Sequence, residues 1–352
     1  MTLRGNFNWN LVSRFRPEIM GVAIIFVLIV HAQPFFGGIM LNHITPLFTC
    51  GVDIFLFVSG IGLYFSMKKN GDVLLFYKRR FLRIVPEFLI VSAIGYAIID
   101  ILSKNEIVLP EFLIKVSGIR AAFIFQSGEN VMLWYVVFII IMYAFYPSLF
   151  LLEKLSETSR SFMYAIIMAL PIAAELILDA FFPEVFNKYD IDRMLTRIPI
   201  FVFGSHMGRV VERGVEGKKI LVPALFAVFI FVRAAKILFL DDAICGRLFV
   251  KIANQFLAVG ILLFVALFME SLKEGQLRLF RLILSWCGKA SLELYLIHTF
   301  LLLIYLALPF PNKWYLYFVV ILPFAFAISA FVLAAKQLFR LKSQERRACG
   351  GK

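Results

Sequence analysis

Residues 15–32 read FRPEIMGVAIIFVLIVHA. From Ile19 to Val30 no charged side chain interrupts the run. With the residues that follow it reaches the length of about 20 that crosses a hydrocarbon core. It ends in His31, a titratable ring inside an apolar helix, which needs either a partner or a task. Histidine can take and give a proton near neutral pH without leaving its place. A second histidine, His298, closes the segment SLELYLIH at 291–298. Two such rings among only four histidines point to chemistry within a membrane.

The rest of the chain agrees. Of 352 residues 61% are hydrophobic and 40 are Phe, with a mean hydropathy of +0.88. A soluble chain of this length would expose too much apolar surface. Ten apolar runs are legible, near 17–36, 47–66, 84–102, 131–152, 162–182, 195–211, 219–240, 249–270, 283–308 and 314–338. Lipid leaves only helices or closed barrels, and the alternation of a barrel strand is absent. The expected fold class is therefore all-α, a polytopic membrane protein of about ten transmembrane helices. Residues 1–16 form an expected cytoplasmic N-terminal segment, 17–338 the membrane domain and 339–352 a basic cytoplasmic tail. The first run is expected to be retained rather than cleaved, since no small-residue cleavage site follows His31. No internal repeat of the transporter kind stands out.

The formal net charge is +13. In a soluble protein that would suggest nucleic acid; here the positions argue otherwise. With ten spans, 24 Lys and Arg fall on one side and nine on the other. That asymmetry predicts both termini in the cytoplasm and no nucleic-acid partner. Membrane lipids are the expected surroundings. Cys50, Cys245, Cys287 and Cys349 show no metal or disulfide spacing, so no metal is expected.

On a rise of 1.5 Å per residue, His31 lies about 21 Å along the first helix and His298 about 22 Å along the ninth. Both then sit in the outer half of the membrane and meet only if those helices are neighbours. Otherwise each serves a helix–helix hydrogen bond. His43 falls in an outer loop, and His206 reads as structural. Asp53, Glu175, Arg197, Asn254, Gln255 and Glu293 are polar groups within apolar runs. The acids can hold a histidine in one tautomer or form buried ion pairs with Arg197, and both readings stay open. The stretch FYKRRFLRIVPEF at 76–88 reads as an inner loop leading into the third span. Arg79, Arg80 and Arg83 offer the planar forks that suit phosphate. They equally suit a topology signal or anionic head groups.

In this order the segments resemble the acyltransferase-3 family of integral-membrane acyltransferases, most of which acylate cell-surface glycans. The resemblance covers about residues 16–340. It rests on the first helix ending in His31, on DIFLFVSG with Asp53, Phe55, Phe57, Ser59 and Gly60, and on Arg79, Arg80, Arg83 and Pro86. It continues through Trp134, Tyr135, Tyr143 and Pro147 to Ser291, Tyr295 and His298. The resemblance implies acyl transfer with His31 as general base or transient acyl carrier, assisted by His298, Tyr295 and Ser59. It implies acyl-CoA, expected to be acetyl-CoA, as co-substrate with no bound cofactor. Arg79, Arg80, Arg83 and Arg16, with Asp53, Trp134 and Glu175, form the expected substrate-binding set. The implied acceptor is a surface or lipid-linked glycan, and the implied setting a bacterial cytoplasmic membrane. A separate extracytoplasmic transferase is an expected partner. One position departs: many members carry an Arg eleven residues before the helix-one His, where this chain has Met20. Arg16 lies one turn earlier. The rival class is a multi-span transporter or flippase without acyl-transfer chemistry; a scaffolding membrane protein is the third.

Overall fold

A computed structural model describes residues 5–33, 47–119, 133–182, 192–239, 244–273, 275–308 and 314–349. The described chain is helical apart from one small antiparallel ribbon. Strand β1 (Asn6–Asn8) pairs with β2 (Glu216–Lys218), which ties the N-terminal segment to a distant turn. The short α1 (Leu11–Arg14) leads into α2 (Arg16–His31). Then follow α3 (Cys50–Asn70), α4 (Val73–Leu102), α5 (Leu109–Ser117), α6 (Trp134–Phe150) and α7 (Glu157–Phe181). After α8 (Asp192–Leu195) come α9 (Ile198–Arg213), α10 (Leu221–Phe239) and α11 (Ile244–Ser271). The last part holds α12 (Arg278–Lys289), α13 (Ser291–Leu306), a helical turn at Trp314–Leu316, a π-helical turn at Tyr317–Ile321 and α14 (Leu322–Cys349).

Among the described residues seven helices are long and apolar enough to cross a membrane, or eight if α12 and α13 count as one broken span. The protein is thus an all-α, multi-pass membrane protein. Helices α2 and α9 have 16 residues each, about 24 Å of helix against a core of about 30 Å. They carry the first and sixth of the expected runs and lie inside the bundle. Around them α4, α7, α10 and α14 present large apolar side chains outward, including Ile90, Phe181, Phe231 and Phe331. That outward face suits lipid.

Two close helix crossings build the centre. On α3 and α9, Gly60 and Gly204 face each other's helix: a Cβ on Gly204 would lie 2.2 Å from the Phe57 carbonyl oxygen. On α2 and α12, a Cβ on Gly288 would lie 1.8 Å from the Pro17 carbonyl oxygen. Small residues of this kind let membrane helices touch backbone to backbone.

Two expectations need correction. The stretch 76–88 is not a loop. It belongs to the 30-residue α4, which starts where the Asp72 carboxylate caps the amides of Leu74 and Leu75. Arg79, Arg80 and Arg83 therefore stand on a rigid helix. Nor is 283–308 one straight helix. The chain bends by 74° between α12 and α13. His298 is thus about 10 Å from the start of its own helix, not about 22 Å from residue 283.

Candidate active site

The two histidines meet. His31 closes α2 and His298 sits on the buried α13; His31 Nδ1 is 2.7 Å from His298 Nε2, and the rings stack 4.9 Å apart. His298 Nδ1 lies 2.5 Å from the Leu294 carbonyl oxygen. A carbonyl only accepts, so His298 Nδ1 carries the hydrogen. In neutral His298 the Nε2 is then a lone pair, and His31 Nδ1–H must donate to it. The same logic puts the lone pair of neutral His31 on Nε2. The chain Leu294–His298–His31 thus selects one tautomer of His31, and does so without a carboxylate.

The acids have gone elsewhere. Asp53 on α3 pairs with Arg197 at the start of α9, Oδ1 to Nε 3.6 Å, and the guanidinium lies 5.0 Å above the Trp134 ring. Glu175 on α7 stands 4.0 Å from Lys251, not beside Arg197. Asn254 donates to the Thr49 hydroxyl at 3.1 Å, and Gln255 to the Thr196 carbonyl. Glu293 shares Lys336 with Glu87, at 2.7 and 2.6 Å. His206 packs against Tyr164, 4.8 Å between rings, in a separate network with Ser205 and Tyr146. His43 lies outside the described residues.

Tyr295 is the wall of the histidine pair. Its ring is 6.3 Å from that of His31, 6.0 Å from His298 and 5.5 Å from Tyr135. Beyond Tyr295 stand Tyr135 and Ser59. On its far side Tyr295 lines a cavity of about 70 Å³ together with Ser59, Tyr135, Arg16, Arg80 and Arg83. Three guanidinium groups from two helices therefore share one small space, one tyrosine away from the histidines. Arg80 also sits 5.7 Å from the ring centres of Phe76 and Tyr143. Arg79 is exposed and does not line the cavity. Nor do Asp53, Trp134 or Glu175.

Arg16 occupies this cavity beside Met20. Its guanidinium fits because the facing residue on α3 is Gly62: a Cβ there would be 2.9 Å from Arg16 Nη2. Sequence reasoning had Tyr143 as a motif residue without placing it in the cavity, and it missed Gly62 and the Glu87–Lys336 contact. The only available signal for the last was a charged pair inside apolar runs. Among the described residues no three His, Cys, Asp or Glu converge as metal ligands.

Comparison with known proteins now decides the class. The family model of the acyltransferase domain, acyltransferase-3, matches residues 21–334. The chain belongs to the acyltransferase-3 family. It is therefore a membrane acyltransferase that transfers groups other than aminoacyl groups. Neither the curated proteins nor the solved structures gave a match. The matched span runs from the middle of α2 to α14, so the acyltransferase domain contains both histidines and two of the three cavity arginines, with Arg16 just before it.

Proposed function

We propose that this acyltransferase moves an acyl group, expected to be acetyl, from cytoplasmic acyl-CoA to a hydroxyl of a surface or lipid-linked glycan. The observation that carries the reading is the hydrogen-bonded pair of His31 Nδ1 and His298 Nε2, which puts the His31 lone pair on Nε2. A base needs a fixed lone pair, and the hydrogen bonds from Leu294 through His298 supply one. His31 Nε2 takes the proton of the acceptor hydroxyl as its oxygen attacks the thioester carbonyl carbon. The tetrahedral intermediate collapses, the C–S bond breaks, and the thiolate recovers the proton from His31. The same lone pair would also serve if His31 carried the acyl group itself.

Arg16, Arg80 and Arg83 are suited to the phosphates of the donor by their planar forks. The thioester arm would then run past Tyr295 towards His31. The cavity of about 70 Å³ is too small for that arm, so donor entry requires the tyrosine wall to part. The hydroxyls of Ser59, Tyr135 and Tyr295, in the wall of the adjoining cavity, are of the kind that can donate to the developing oxyanion. Arg16 takes the place of the family arginine missing at Met20. Asp53 pairs with Arg197 beside Trp134 and Glu175 with Lys251, which favours a role in holding helices together over direct contact with substrate.

In this reading both termini are cytoplasmic and the protein sits in a bacterial inner membrane. A separate extracytoplasmic transferase would complete delivery to the glycan. The decisive experiment is thiol release from acetyl-CoA by the purified protein in detergent. Release that depends on His31 supports acyl transfer. Substrate flux in vesicles without thiol release would favour the transporter reading. Mass spectrometry of surface glycans from a deletion strain would then name the acceptor.

A further inference from the structure

The last turn of α2 is held from outside. Its helix ends at His31, and the Ala32 amide turns back to Ile29 at 3.2 Å instead of reaching Leu28. The Leu28 carbonyl so loses its helical partner in the interior, where an unmade backbone hydrogen bond is expensive. The Tyr317 hydroxyl fills the vacancy, donating to the Leu28 oxygen at 2.7 Å. Tyr317 is completely buried, packed with Ala32, Leu302 and Tyr305.

Tyr317 gets there through an irregularity. It opens the five-residue π-helical turn Tyr317–Ile321. Such turns are rare and recur at functional sites. Leu28 and His31 are three apart on α2, hence on one face, and the His31 side chain leans back over the turn that contains Leu28.

We propose that Tyr317 is a positioning residue for His31. Its hydroxyl pins the turn that carries the ring, so that Nδ1 meets His298 and Nε2 stays turned to substrate. The inference rests on His31 being the base. Tyr317 touches neither ring of the histidine pair through its hydroxyl; it acts through the backbone of α2.

Tyr317→Phe keeps the ring and removes the hydroxyl that donates to Leu28. In the thiol-release assay kcat should fall about ten- to a hundredfold, the scale of a small misplacement of a catalytic group. KM for acetyl-CoA should hold, since the arginine cavity is not touched. Tyr164→Phe is the comparison, because it removes another buried hydroxyl, one bonded to Glu153 and Ser205. It should lose thermal stability to a similar extent and keep its kcat. Tyr317→4-aminophenylalanine retains a donor at the ring tip and should recover most of the rate; this variant decides the matter if Tyr317→Phe accumulates poorly. Wild-type kcat in Tyr317→Phe, equal losses in Tyr164→Phe, or no recovery with the amino analogue would each overturn the proposal. His31→Ala is run beside them. If it is inactive while Tyr317→Phe is normal, only the positioning role fails. If it is active, the base assignment beneath it fails.

Discussion

Arg16 on α2 fills the space that Gly62 leaves open on α3. A methyl group at Gly62 would lie 2.9 Å from Nη2 and 3.2 Å from Cζ of the guanidinium. The arginine is thus aimed by its neighbour's missing side chain as well as by its own helix. Gly62→Ala should displace the head group by a few tenths of an ångström, and Gly62→Val by more. KM for acyl-CoA should rise in that order while expression holds, because the atom displaced is the far end of a flexible side chain. Arg16→Gln should raise KM at least as far, and Met20→Arg added to it should recover part of the loss. Unchanged KM in both Gly62→Val and Arg16→Gln would remove Arg16 from donor binding.

His31→Ala should leave only trace turnover. A general base contributes about a hundred- to ten-thousandfold in rate. His31→Gln should be nearly as poor, since an amide can bond His298 but cannot take the proton. His298→Ala should cost less than His31→Ala: the base remains, and what goes is the partner that selects its tautomer. Thiol release and membrane levels measured together check the order. Near-normal transfer by a well-expressed His31→Ala protein would pass the role of base to another group.

The three arginines of α4 should not behave alike. Arg80 and Arg83 line the cavity and Arg79 does not. Arg80→Gln and Arg83→Gln should each weaken acyl-CoA binding, with a response that flattens as salt is raised. Arg79→Gln should stay close to wild type. Equal losses at all three positions would favour a diffuse electrostatic or topological role for the cluster.

Lys336 bridges Glu87 and Glu293 across α14, α4 and α13. Lys336→Met would leave the buried Glu293 and the half-buried Glu87 without the cation they share. Breaking a fully buried pair costs about 3–5 kcal/mol; the lysine is 38% exposed, so the loss should fall below that range. Adding Glu87→Gln and Glu293→Gln should return most of the stability. Thermal unfolding in detergent reads both, and a Lys336→Met protein as stable as wild type would show the bridge to be idle.

The sequence alone determined that this is a helical membrane protein, that His31 and His298 are out of place in lipid, and that the segments run in the order of a membrane acyltransferase. Each of these is local: the length of an apolar run, the charge beside it, a residue type within it. Only the tertiary structure decided that His31 and His298, 267 residues apart, share a hydrogen bond. Helical spacing tells which face a residue occupies and never which helix lies opposite. The same gap hid the meeting of Lys336 with Glu87 and the reach of Tyr317 to α2. The 74° bend before Ser291 was hidden for another reason. Both sides of it are apolar enough to continue one run, and what stops them is packing: Gly288 lies against the Pro17 backbone, which holds α12 on α2 while α13 turns away.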